Sequence, residues 1–155
     1  MNTATLHVEP DPPDGEPHVI LYHPAQGIRV WYPWDDPAPA LFALRYERVV
    51  TFRVRQSDLR ALACGDRALA RALIERTTDL HDLIRRRTGR RVSLRTLVAL
   101  NLGEPPPAPS PVDEGGLAWE AATGALILLS ELWTLYAGCG LLWVGESERL
   151  AWPPE

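Results

Sequence analysis

Six arginines fall within the eleven residues from Arg85 to Arg95, RRRTGRRVSLR, with no acid among them. A guanidinium stays charged in every setting and presents a planar fork of donors, so it grips phosphate or carboxylate at two points. Like charges this dense repel one another unless a partner neutralises them. Ser93 opens a helix whose free backbone N–H groups would add donors for an anion. Arg85, Arg86, Arg87, Arg90, Arg91 and Arg95 are therefore candidate contacts to nucleic-acid phosphates. Carboxylates, from a protein partner or from this chain's own ends, fit them equally well.

A second basic stripe lies in residues 41–55, LFALRYERVVTFRVR. Leu44, Tyr46, Val50, Phe52 and Val54 alternate with Arg45, Glu47, Thr51, Arg53 and Arg55, the period of a half-buried antiparallel strand. Its outer face carries Arg53 and Arg55, with Arg29 and Trp31 on a neighbouring strand. Arginine beside aromatics can clamp single-stranded nucleic acid, although outward charge also keeps a sheet face from aggregating.

Catalytic groupings are thin. Cys64 and Cys139 lie far apart with no CxxC and no neighbouring histidine, which is neither a zinc pattern nor a disulfide framework. Cys64, in an Ala/Leu-rich helix, reads as a small packing residue. Its encounter with His81 is not demanded by spacing, nor is one among His18, His23, Asp35 and Asp36. Asp79 and Asp82 flank His81, yet Asp82 is spaced for an ion pair with Arg86, and Asp79 sits where a helix dipole favours an acid. The phosphate-loop, dinucleotide, serine-hydrolase and zinc-protease motifs are all missing. The expectation is a binding protein with no cofactor, no metal and no catalysis.

The basic run spans a helix–turn–helix junction, but not the kind that reads DNA. With Gly89 as the turn, the positions that two packed helices need small or apolar hold Arg85, Arg90 and Arg95.

These residues sit in a chain of 155 with ordinary globular balance, 46% hydrophobic and 23% charged. Its charge layout is uneven. Residues 1–44 carry net −5, residues 45–95 net +8 and residues 96–155 net −7, which together conceal a dipolar chain behind a formal −4. All sixteen basic residues other than histidine are arginine, a lysine-free usage that GC-rich codons explain simply.

The elements follow from pattern. Residues 1–16 read as an irregular, acidic, proline-rich arm. Residues 17–103 hold a hairpin (18–23 and 27–32 around PAQG), the strand above, and a basic helical region. Ser57, Asp66, Thr78 and Ser93 are helix-start candidates, and Gly89 and Gly103 are stops. Residues 104–116 form a proline linker. Residues 117–155 supply a long apolar helix, about 117–137, and strands near 141–144 and 149–152, packing on the same core. That helix is long enough to span a membrane, but its polar stripe and lack of flanking basic residues read as a core helix. No leader pattern opens the chain, so the cytoplasm is expected.

The expected fold is a single α+β domain with a small antiparallel sheet of three to five strands and three to five helices. The expected function is contact with nucleic-acid phosphates through the arginine-rich junction. The alternative is a protein-interaction or assembly module, in a phage or mobile element for instance, mating basic and acidic surfaces with an acidic partner or between copies.

Overall fold

The computed structural model describes residues 2–10, 16–32, 34–103 and 115–153, with the backbone alone for 115–121. A five-stranded mixed sheet runs β3–β2–β1–β4–β5. Its strands are β1 (Thr3–Glu9), β2 (His18–His23), β3 (Gly27–Trp31), β4 (Arg48–Thr51) and β5 (Thr77–Asp79). Strands β1, β2 and β3 pair antiparallel, whereas β4 lies parallel to β1 and β5 parallel to β4. The described residues hold six helices: α1 (Ala38–Ala43), α2 (Gln56–Leu62), α3 (Arg67–Arg76), α4 (Leu80–Thr88), α5 (Leu94–Asn101) and α6 (Gly115–Cys139). A separate two-stranded ribbon, β6 (Leu141–Trp143) with β7 (Arg149–Ala151), completes the α+β fold.

Both faces of the sheet are covered. Ala4, Leu6 and Val8 of β1, with Val19, Leu21 and Val49, pack against Ala40, Leu59, Leu62, Leu69 and Leu73 of α1–α3. Ile20 and Val50 face the other way, onto Leu80, Leu83, Ile84, Leu97, Leu126, Leu129 and Tyr136 of α4–α6. Thr5, fully buried, donates to the carbonyl of Leu126 at 3.0 Å and fixes α6 across β1.

Four expectations need correction. The segment read as an irregular arm contains β1, the central strand; TATLHVE alternates, and the acids and prolines that obscured it lie beyond Glu9. The single strand read over 41–55 is instead the end of α1, a turn and the short β4. Val49, Val50 and Thr51 are consecutively buried because a parallel strand inside a sheet is covered on both faces and loses its alternation. The sheet is therefore mixed, not antiparallel, and there are more helices than expected. The residues 104–114 of the proline linker lie outside the described ones.

The long helix passes a length and composition test for crossing a membrane over Ala122–Cys139. Here it packs on β1 and β2, with Leu126, Leu129, Ser130, Leu132, Trp133 and Tyr136 buried. Two of the four expected helix starts fall as read. Ser93 accepts from the Thr96 amide and Asp66 from the Leu69 amide. The start expected at Thr78 moves to Asp79, because residues 77–79 are a strand. The start expected at Ser57 moves to Arg55, whose amide donates to Asp58.

Candidate functional site

The chain leaves β4 for α2 on one face of the sheet and leaves neighbouring β5 for α4 on the other. Diverging exits from adjacent parallel strands open a crevice at their carboxyl ends, the usual binding position in open α/β sheets. Here it measures about 650 Å3, with Arg53, Arg55, Thr78, Asp79, His81 and Arg86 among its lining residues.

Asp79 holds the crevice together. Its carboxylate caps α4 through the Asp82 amide at 2.9 Å, and accepts from the Thr51 hydroxyl and the Val54 amide, both at 2.8 Å. The last bond draws the chain in after β4 and leaves Arg53 at φ 62°, a left-handed conformation costly for a side chain with a Cβ. Arg53 and Arg55 thereby stand on the rim, not on the outer face of a strand. Arg55 adds a 3.6 Å ion pair with the buried Asp58.

Electrostatics record how tightly the cations gather. Burial, and then the charge of Arg53, push the His81 pKa below its ordinary value; Asp79 pulls it up, and Arg85 and Arg91 add smaller downward pushes. Asp82 takes both Arg85 (2.8 Å) and Arg86 (2.9 Å), and hydrogen bonds from these guanidinium groups hold its carboxyl below the usual range.

The remaining arginines of the run diverge. Arg90 pairs with Glu148 beyond β6, lying so close over the turn that a Cβ at Gly145 would meet its Nη1 at 2.8 Å. Arg87, Arg91 and Arg95 are exposed and have no ion pair among the described residues. The eight candidate arginines thus do not form one patch. Arg53, Arg55 and Arg86 line the crevice, Arg85 and Arg91 act on it through His81, and Arg90 serves the ribbon. A more open depression on α2–α3 holds Arg60, Arg67 and Arg71, but Asp66 and Glu75 share it.

The ribbon strand β6 carries exposed apolar groups. Trp143 and Leu141 of β6 are each 39% exposed, and the Arg149 guanidinium lies 5.3 Å from the Trp143 ring centre. Trp133, Tyr136 and Trp152 instead pack edge to face around α6.

Cys64 is exposed, contrary to its reading as a packing residue. At φ 51° it ends α2, and burial together with Asp36 and Asp35 pushes its thiol pKa up, the reverse of activation. His18 lies by His7 and Tyr32, and His23 stacks on Tyr46. Among the described residues no group of three His, Cys, Asp or Glu side chains could hold a metal ion. Reading the sequence alone missed the crevice because it missed β5. The signal was available: Thr77-Thr78 is a β-branched pair between two helical patterns.

Compared with protein-family models and with curated proteins, the chain matches none.

Proposed function

We propose that the chain is a protein-interaction module that receives an acidic segment of a partner in the crevice between β4 and β5. The partner can be another protein or a second copy, since residues 1–44 and 96–155 of this chain are themselves net acidic. One observation carries the reading: a crevice at the divergence of two parallel strands is rimmed by arginines from separate elements, gathered around His81.

The carboxylates inside the cluster favour protein over nucleic acid. A phosphate backbone brings uniform negative charge, which the Asp79 and Asp82 carboxylates would oppose. A protein surface supplies mixed charge and apolar contact, matching these acids and the exposed Trp143, Leu141 and Arg149 of the ribbon, and Trp and Arg are common anchors of such contacts. The reading involves no catalysis and no cofactor. Cytoplasmic residence suits two exposed free cysteines, which a reducing compartment preserves.

Nucleic acid is the second reading, favoured by Arg87, Arg91 and Arg95, which are exposed and form no ion pair among the described residues. Fluorescence anisotropy with a labelled glutamate-rich peptide and with labelled DNA and RNA, at low and high salt, separates the two. The first reading expects the peptide to bind more tightly and Arg53→Gly, which also relieves the left-handed strain, to weaken it. Tighter binding of an oligonucleotide that depends on Arg87, Arg91 and Arg95 favours the second.

A further inference from the structure

At the opposite end of the sheet, a cleft of about 460 Å3 opens between the start of β1, the β2–β3 turn and α6. Its lining includes Thr3, His23, Ser130, Trp133, Thr134 and Ala137, with no acidic side chain. Two of the lining side chains hold buried polar atoms without a hydrogen-bond partner among the described residues: Thr3 Oγ1 and Trp133 Nε1. Trp133 is only 3% exposed. An indole N–H can only donate, and a donor shut from water with no acceptor is costly to keep. The third group of this kind, Thr123 Oγ1, lies higher on α6 and does not line the cleft.

The surrounding chemistry is biased toward donation. His23 Nδ1 accepts from the Ala25 amide at 3.1 Å, which places the ring proton on Nε2. The Arg48 guanidinium lies 5.4 Å from the Trp133 ring centre, fixed by a 2.7 Å bond to Thr78, and forms no ion pair among the described residues. Orphaned donors, a nearby unpaired cation and small apolar walls call for an acceptor that carries modest negative charge. The volume is that of an ordinary small-molecule pocket.

We propose that this cleft is a binding site for a small organic carboxylate, whose oxygens accept from Trp133 Nε1 and Thr3 Oγ1. The site lies at the opposite end of the sheet from the arginine crevice, to which the Arg48–Thr78 bond connects it.

The test uses the full chain labelled with 15N, observing the indole N–H resonances while acetate, pyruvate, benzoate, benzamide and inorganic phosphate are added in turn. Trp133→Phe assigns the resonance by its loss. Should that variant fail to fold, Thr3→Val leaves the indole in place. At least one of the three carboxylates is expected to shift the Trp133 resonance saturably, and more strongly than benzamide or phosphate. Thr3→Val is expected to weaken that carboxylate about fivefold, the worth of one neutral hydrogen bond. No shift with any probe would leave an ordered water as the partner of these donors and overturn the proposal. An equal or larger response to benzamide or phosphate overturns it too, as does an unchanged affinity in Thr3→Val.

Discussion

The two clefts at opposite ends of the parallel strands solve opposite electrostatic problems. The crevice beyond β4 and β5 concentrates charge and partly neutralises it from within, through Asp79 and Asp82. The cleft below β1 concentrates uncharged donors, two of which have no partner among the described residues. Charge at a solvated rim is held at little cost because water screens it. A buried donor has no such relief, so each one that lacks an acceptor is costly to keep.

The largest expected effect comes from breaking the charged end at its keystone. Asp79→Ala removes the α4 cap and strands the buried Thr51 hydroxyl and the Val54 amide. About 3 kcal/mol of stability should go, read as a lower urea midpoint. Asp79→Asn should recover part of it.

Next in size is the rim itself. Replacing Arg53 and Arg86 by glutamate should weaken an acidic peptide at least about tenfold, near 1.4 kcal/mol, without moving the urea midpoint by as much. Retained affinity would detach the crevice from binding.

Acid sharpens the comparison further. Burial holds His7 below the ordinary histidine value, and burial with Arg53 does the same to His81. The unfolded chain then takes up protons first, so stability should begin to fall as pH drops below about 6.5. Asp82 works at lower pH: its contribution is complete above the usual carboxylate range and is lost as pH falls through its depressed folded value. Chemical denaturation across pH reads both. A bound acidic peptide should raise the His81 pKa, visible by NMR titration, because it offsets the arginines.

The smallest effect is expected at the ribbon. Arg90 and Glu148 are half exposed, so Glu148→Gln should cost only about 0.5 kcal/mol.

Much of this fold could be read from residue pattern. The hairpin of β2 and β3, the helices α3 to α5 with their Ser93, Asp66 and Gly89 boundaries, and the ribbon strands all obey local rules. What failed were the strands of the parallel half. β4 and β5 are four and three residues long, and their identity comes from pairing, β4 with the distant β1 and β5, at the sheet edge, with β4. The crevice was half legible, because its arginines stand out while the divergence of α2 and α4 does not. The neutral cleft left no trace, since a threonine, a histidine and a tryptophan spread from residue 3 to residue 133 form no motif.

Asn101, the last residue of α5, grips the backbone of Trp143 from both sides: its carboxamide accepts from the amide at 2.9 Å and donates to the carbonyl at 2.8 Å. A single side chain thus imitates a neighbouring strand and rivets the terminal ribbon to a helix encoded forty-two residues earlier. A protein nicked between Gly103 and Gly115 should consequently stay in one piece, its halves interlocked by this clasp and by the leucines of α6.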